Sequence, residues 1–445
     1  MWKGRLLILA AAVIAYLPAL NNGFIADDWV ILHRVDVLKT DFVYLNESVP
    51  ENFRLTSYVV FALLKSLFGY NAAPFYAFNI LLHALNCILL SLLVREITGD
   101  SNLGWISGLF LAVFQAPQEA VMWLAAMNET LSVFFILLTL MYWFRGRHAH
   151  AALAFTAALF SKESAVMLIV LLPLVETNRG KQVAWRDYWI LALPAMMYSV
   201  FFMLTLSVNF QITHGTYAVS SRALLVLFKS LHRLVWPWGY LTLAVVFISA
   251  RSRLNRRSLD WALLIPFAML PYIFVRYTTN IPSRQTYLAS AVFLSLLAAG
   301  MLSLKQKAVR VGLIAAFIGF NIVYIWSVKD AQMEARALPT TALVESLKGY
   351  SPQDVRLRGF EYPVDLIPKA VAVSLPGWRW DQVDLDVPCN GCLLLEWNRE
   401  WRPMRQAGRS SWGKLGDGLL NPQTPVYILE KFAGVWGLSS PSPNF

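Results

Sequence analysis

The sequence predicts an all-α polytopic membrane protein, a bundle of about eleven transmembrane helices followed by a small C-terminal extramembrane domain of α+β or β-rich character. Three observations carry that expectation. Of 445 residues, 57% are hydrophobic and 15% charged, against roughly a quarter charged in an ordinary soluble domain. The mean hydropathy of +0.50 means more apolar surface than one aqueous globule can bury, so much of the chain needs lipid as its solvent. The formal charge of +11 is spread as small clusters between apolar runs, which is the positive-inside pattern and not a nucleic-acid-binding face. A soluble enzyme and a disordered chain are both excluded.

The elements follow in order. Residues 6–20, preceded by Lys3 and Arg5, suit a cleaved signal peptide or a first spanning helix. The stretch Asn21-Asn22-Gly23-Phe24 carries no small-x-small cleavage site, which favours the helix. Further apolar stretches run over 75–94, 103–116, 121–144, 149–160, 165–175, 188–206, 234–250, 259–275, 287–304 and 311–328. The pair flanking Ser161 is short for a full crossing and reads as two half-helices or a re-entrant hairpin.

A cytoplasmic N-terminus places Arg95, the pair Arg145 and Arg147, the group Arg179, Lys181 and Arg186, the cluster from Arg251 to Arg257, and Lys305, Lys307 and Arg310 on inner loops. An odd number of spans then leaves the C-terminus outside. Outer segments are the loop 21–73, a turn at 115–119, loops near 207–221 and 276–286, and the tail after Lys329. Within the first loop, 57–68 is amphipathic, with Lys65 on its polar side, and reads as an interfacial helix.

The chain thus divides into a transmembrane domain, 1–328, and a C-terminal domain, 329–445, which is rich in Pro, Gly, Trp and Arg and has short alternating runs at 370–374, 392–397 and 425–429. Cys389 and Cys392 flank an Asn-Gly turn and suit a local disulfide in an oxidising space; a zinc site lacks two further ligands nearby. No internal repeat, Walker loop, dinucleotide fingerprint or zinc-protease motif is present.

The candidate chemistry starts at Asp27 and Asp28, followed by Trp29, just beyond the first span. Two carboxylates at a membrane surface are costly unless they bind a cation or move protons, and one acid beside another tends to hold its proton longer. The plain alternative is a solvated loop or a helix cap.

The ordered set of motifs around this pair resembles the GT-C glycosyltransferases of the protein O-mannosyltransferase superfamily. The likeness comprises the short first span, Asp27-Asp28-Trp29 in the outer loop, and Phe78-Asn-Ile-Leu-Leu-His83-Ala-Leu-Asn86. It continues through Ala116-Pro117-Gln118-Glu119-Ala120-Val121-x-Trp123 with Asn128-Glu129, then Ser161-Lys162-Glu163-Ser164, and Arg284-Gln-Thr-Tyr287-Leu-Ala-Ser290. It covers roughly residues 6–304.

The resemblance implies a multi-span bundle with its active site at the outer membrane face. It further implies a polyprenyl-phosphate sugar donor and inverting transfer in one displacement. Asp27 or Asp28 would deprotonate the acceptor hydroxyl, with Asp27 preferred by position. The leaving phosphate gains negative charge in the transition state, so cations belong near it. Lys162 and Arg284 fill that role at outer helix ends, with Arg54, Arg276 and Arg222 as lesser helpers; the alternative for each is snorkelling at the interface. Glu119 would bind sugar hydroxyls or orient the acids. Glu163 is a substrate contact or the partner that holds Lys162, and Trp29, Tyr287 and Asn128 complete the substrate contacts. His83 and Asn86 read as glue between helices. The run Trp236-Pro-Trp238-Gly-Tyr240 reads as an interfacial belt, near the lipid groove if the resemblance holds.

The chain departs from many relatives at Phe114-Gln115-Ala116-Pro117-Gln118, where they carry histidines before the glutamate. Its tail carries neither the tetratricopeptide array nor the β-trefoil found in others. Asn46-Glu-Ser48 and Asn128-Glu-Thr130 match the glycosylation sequon. No cofactor is required by these residues, although Asp27, Asp28 and Glu119 offer hard oxygen ligands for a divalent cation. The expectation is therefore a hexosyl- or pentosyltransferase of a bacterial inner membrane. It would act with membrane lipid, a polyprenyl-phosphate sugar donor and an extracytoplasmic glycan, lipid or protein acceptor, and without nucleic acid. A polymerase using a diphosphate-linked glycan would centre its chemistry on a large late loop. A transporter or flippase would carry inverted repeats and charges deep in its spans.

Overall fold

The computed structural model describes residues 2–40, 54–181, 185–204, 221–250, 260–274, 281–358, 370–371, 374–379, 382–385, 392–397 and 400–403. Helix α1 (Trp2–Tyr16) leads to α2 (Asp27–Thr40) and α3 (Leu55–Phe68) in the first outer loop. The long α4 (Ala72–Thr98) and α5 (Ser101–Val113) form a hairpin. Its turn is written in Gly99, which takes the left-handed conformation at φ 75°, and Asp100, whose carboxylate caps α5 by accepting from the Asn102 and Leu103 amides. The two helices approach closely because α5 carries glycines on its contact face. A Cβ on Gly104 would stand 2.4 Å from the Ser91 carbonyl, and one on Gly108 would stand 2.6 Å from that of Cys87.

The bundle continues with α6 (Met127–Phe144), α7 (His148–Ser161), α8 (Leu168–Asn178), α9 (Trp189–Leu204), α10 (Arg222–Val235) and α11 (Trp238–Ala250). It closes with α12 (Tyr287–Leu302), α13 (Lys307–Tyr324) and α14 (Asp330–Leu347). Among the described residues, five helical segments are long and apolar enough to cross a membrane: Lys3–Asn21, Ala72–Thr98, Leu124–Phe144, Ser283–Leu302 and Lys307–Leu347. Shorter apolar helices at Leu55–Phe68, Ser101–Val113 and Trp189–Met203 accompany them. The chain is an integral membrane protein of this helical class; among the described residues, five of the expected spans are long continuous helices, and the count of eleven is not reached.

Where the sequence suggests two short spans around Ser161, the chain leaves α7 at Lys162 in an extended conformation (φ −160°, ψ 136°). It passes through a 3-10 turn at Glu163–Met167 and resumes as the 11-residue α8. The expected domain boundary at Lys329 falls inside a helix. Residues Lys307–Leu347 form one 41-residue rod, with a π-turn at Ile325–Lys329 joining α13 to α14.

Beyond the rod comes a small mixed sheet of β1 (Val355–Arg358), β2 (Val383–Leu385), β3 (Leu393–Trp397) and β4 (Trp401–Pro403), in the order β2-β1-β3-β4. Strand β1 is parallel to β2 and β3, and β4 returns antiparallel, with Trp397 opposite Trp401. The alternating run 392–397 is β3. The run 425–429 lies outside the described residues, as do the middle of 370–374 and Cys389; Cys392 is disulfide-bonded and Cys87 is a buried free thiol.

One orientation differs from expectation. Lys65 does not sit on a water-facing side of α3: it is buried, ion-paired with Asp36 of α2, and donates to the Leu32 carbonyl at 3.4 Å. Tyr70 donates to the same carboxylate at 3.0 Å. The exposed residues of α3 are instead Leu55, Val59, Leu63, Ser66, Leu67 and Phe68, apolar but for one serine. In lipid the solvent-facing side of a helix is the apolar one, so the polar stripe turns inward to a partner.

Buried polar side chains fasten the turn between α5 and α6. The Asn79 amide donates to the carbonyls of Ala120 and Val121, each at 2.9 Å, and its oxygen accepts from Thr130 at 2.7 Å. Asn86 donates to the Thr130 carbonyl at 2.9 Å. These contacts hold in place the one-turn helix Glu119–Met122, the turn that carries the expected glutamate.

Candidate active site

The two adjacent acids part company at the start of α2. Asp28 is fully buried, and both of its oxygens accept backbone amides: Ile25 at 2.7 Å and Ala125 at 2.5 Å. It thereby staples the end of the first span to the segment before α6. The Trp123 indole adds a bond to the Ile25 carbonyl at 3.3 Å, and the Tyr76 hydroxyl one to that of Gly23 at 3.0 Å. The staple holds Ala26 at φ 45°, a left-handed conformation that costs a non-glycine residue about 1 kcal/mol or more. Burial pushes the Asp28 carboxyl well above the ordinary range, opposed by the two amides and reinforced by Asp27.

Asp27 points the other way. It is exposed and, among the described residues, makes no hydrogen bond. The protein crowded around it raises its carboxyl above the usual value, opposed by the field of Arg284, Arg34 and Arg54.

Two clusters of charge flank this acid. In the first, Lys162 and Glu129 form a buried ion pair. Tyr272 donates to Glu129 at 3.3 Å, or to the Ser164 hydroxyl at 2.7 Å, and its ring lies 5.1 Å from the Lys162 ammonium. Arg54 grips Glu163 with two bonds, at 3.0 and 3.3 Å. Burial would raise the Glu163 carboxyl, but Arg54 and Lys162 outweigh it and hold it at about 2. Thr56 donates to Ser161 at 2.8 Å beside this pair. The partner of Lys162 is thus Glu129, with Glu163 taken by Arg54.

In the second cluster, the two oxygens of Glu119 face two guanidiniums, Arg284 at 3.4 Å and Arg336 at 3.1 Å. Both guanidiniums also approach the Trp123 indole, at 4.7 and 6.0 Å from the ring centroid. Arg233 and Lys329 add their fields to the same carboxylate. Burial raises Glu119, and the arginines more than reverse this, to about 2. Glu119 therefore pairs with two guanidiniums, with two further cations in its wider field, an arrangement that suits an anion.

The remaining expected contacts are dispersed. Trp29 is buried edge-on against Phe24, with centroids 5.0 Å apart, and its indole N–H has no acceptor among the described residues. Asn128 is buried with its side-chain oxygen unpartnered among the described residues. The Tyr287 hydroxyl is taken up inside the bundle by His83 at 2.6 Å and Asn86 at 3.4 Å. Since His83 Nε2 faces the Ala112 carbonyl at 3.4 Å, it carries the ring proton, so Tyr287 donates to Nδ1. Arg222 is exposed at the start of α10, and Arg276 and Asn46 lie outside the described residues.

Asp27, Asp28 and Glu119 do not assemble as a metal-ligand set: both oxygens of Asp28 are spent on amides, and those of Glu119 face guanidiniums. Among the described residues no group of three His, Cys, Asp or Glu side chains gathers in a metal-binding arrangement. The sequence reading missed Arg336, Arg233 and Lys329. The one available signal was the spacing of Lys329 and Arg336, seven residues apart and so on one face of any helix that continued past the last span.

No family model matches the chain, and no curated protein matches it. Its fold does match solved structures. ArnT from Cupriavidus metallidurans, in a crystal structure bound to undecaprenyl phosphate, superposes with a TM-score of 0.58 at 13% identity, over 83% of this chain and 84% of that one. The apo form of the same protein gives 0.54 at 13% identity, over 82% and 83%. An oligosaccharyltransferase from Archaeoglobus fulgidus, tethered to an acceptor peptide, gives 0.50 at 12% identity; the match covers 85% of this chain but 64% of that longer one. The chain has the GT-C membrane fold, the architecture shared with these two transferases.

Proposed function

We propose that this protein is an inverting glycosyltransferase that moves a sugar from a polyprenyl-phosphate donor to an extracytoplasmic acceptor. The observation that carries the proposal is the open Asp27 carboxylate beside a cluster in which Glu119 meets two guanidiniums, with Arg233 and Lys329 in the wider field, on a fold shared with a protein crystallised with undecaprenyl phosphate.

In this reading Asp27 accepts the proton of the acceptor hydroxyl as its oxygen attacks the anomeric carbon. The bond from that carbon to the phosphate oxygen breaks, and its electron pair leaves on the polyprenyl phosphate. The phosphate passes from a singly charged diester to a doubly charged monoester. Arg284 and Arg336, backed by Arg233 and Lys329, meet the charge as it develops. Glu119 spaces the two guanidiniums and offsets part of their charge. Lys162 and Arg54, each matched by a carboxylate, brace the cleft. The segment 329–445 contributes acceptor recognition above the membrane, and the site faces the outer side of a bacterial inner membrane.

The test is sugar release from a panel of synthetic polyprenyl-phosphate donors by purified protein in detergent. Wild type would be set beside Asp27→Asn and Asp28→Asn, with and without chelator. Turnover lost in Asp27→Asn, in a protein that still folds and binds donor, supports the reading. Chelator sensitivity would add a divalent cation to it. Absence of both turnover and donor binding across the panel would sink it in favour of a transporter or flippase.

A further inference from the structure

Trp123 touches both halves of the site. It closes the one-turn helix Glu119–Met122, where its backbone amide donates to the Glu119 carbonyl at 3.1 Å. From there the half-buried indole reaches two ways. Its N–H donates to the Ile25 carbonyl at 3.3 Å, which also accepts the Asp28 amide at 2.9 Å in the first turn of α2. Its ring face lies 4.7 Å from the Arg284 guanidinium and 6.0 Å from that of Arg336, and the ring quadrupole attracts both. Edge and face act at once, so neither contact is made at the other's expense.

The grip on Ile25 bears on Asp27. Between the two stands Ala26 at φ 45°, a conformation that a non-glycine residue leaves when its restraints are loosened. Asp28 already ties this turn to the Ala125 amide at 2.5 Å. The indole bond is therefore not needed to hold the two segments together, and its effect falls on how the turn is set. A displacement reaction makes that setting matter. The acceptor oxygen, the anomeric carbon and the departing phosphate oxygen lie in one line, so the proton acceptor and the phosphate-binding cations need a fixed separation. An error of about 1 Å can cost on the order of 10²-fold.

We propose that Trp123 is a positioning residue that sets the separation between Asp27 and the guanidiniums of Arg284 and Arg336. This role rests on the reading of Asp27 as the base and of the two guanidiniums as the phosphate site. The indole N–H then acts on the rate of the chemical step, and the ring face on the affinity for the donor.

The two handles can be cut separately in the full chain, purified in detergent. The readout is sugar release from whichever polyprenyl-phosphate hexose or pentose of the donor panel wild type turns over fastest. Trp123→Phe keeps a ring face and deletes the N–H, and should lower kcat roughly ten-fold with donor KM held within about two-fold. Trp123→Leu deletes both, and should add to that loss a rise in donor KM of roughly ten-fold. Trp143→Phe is the control. It deletes an indole N–H that donates to Glu176 at 2.7 Å, at the far end of α6 from Glu129, and should leave kcat and KM of the folded protein unchanged.

A Phe variant with wild-type kcat, or with as large a rise in KM as the Leu variant, overturns the role of Trp123 while wild-type release keeps the transferase reading. A kcat loss of the same size in Trp143→Phe overturns it too, since lost packing would then suffice. No release by wild type from any donor removes that reading, and the role of Trp123 with it. Elution as a single species checks folding. Should the Leu variant fail that check, the Phe variant beside Trp143→Phe decides alone, with kcat lost and KM kept as the supporting result.

Discussion

The two charge clusters beside Asp27 use the same side-chain chemistry to opposite ends. In one, Lys162 is matched by Glu129 and Arg54 by Glu163, so the count closes. In the other, Glu119 is outnumbered by Arg284, Arg336, Arg233 and Lys329. A balanced buried pair has already satisfied its charges and has little left for a ligand, and its removal is felt in folding. A surplus costs stability until an anion arrives, and its removal is felt in binding and turnover. The nature of a cationic residue is therefore read from its partners before its position.

The largest expected effect tests the acid that neither cluster neutralises. Asp27→Asn should lower transfer by about 10²- to 10⁴-fold, the usual worth of a general base, with donor binding retained in a filter or fluorescence assay. Since the Asp27 carboxyl is raised, the wild-type rate should climb with pH through a value above the ordinary carboxylate range. That acid limb should vanish from the residual activity of the variant.

Next comes the balanced cluster. Glu129→Gln alone leaves Lys162 buried and uncompensated, at a cost of about 3–5 kcal/mol, read by thermal unfolding in detergent. The double change Lys162→Met with Glu129→Leu should recover much of that loss. A double variant as unstable as the single one would mean that the pair is not matched as described.

For the surplus cluster, Arg284→Ala and Arg336→Ala should each cost about 10²-fold in kcat/KM for the donor, the scale of a lost charge-stabilising contact. Melting temperature should fall less in either than in Glu129→Gln. Equal losses of stability in the two clusters would erase the distinction drawn between them.

Smaller again is Asp28→Asn. It replaces one of two amide-accepting oxygens by a donor and should cost about 1–3 kcal/mol of stability. Any loss of activity should scale with the unfolded fraction. A last effect, on a different axis, is the pH dependence of stability. Glu119 and Glu163 are held at about 2 against 4.5 in the unfolded chain. Their contribution is complete above pH 4.5 and lost as pH falls toward 2. Asp27 has the opposite sign: it stabilises the fold while protonated and ceases to do so as pH rises through its folded value. Glu119→Gln should flatten the acid slope, measurable by melting temperature across that window.

The helical membrane class was legible in the sequence because hydropathy over twenty residues reports directly on lipid solvation. The acid pair and Glu119 stood out because charges near apolar runs are expensive. What stayed hidden depends on which solvent a side meets and on what arrives from far along the chain. Lys65 was read outward because amphipathicity alone does not say whether water or protein lies on the polar side. Glu129 was seen only as a neighbour of Asn128, and its pairing with Lys162 spans 33 residues of sequence. Arg336 meets Glu119 across 217 residues, and the change in composition after Lys329 concealed that the helix simply continues.

That continuation bears on how such proteins can be recombined. A 41-residue rod is ~60 Å long, about twice the hydrocarbon thickness of a bilayer, too long to lie wholly within it along the normal. A cut at the compositional border near Lys329 would separate the two halves of the Glu119 clasp. A cut after Leu347 keeps the clasp whole. A junction there leaves Glu119 with both of its guanidinium partners on one side of the cut.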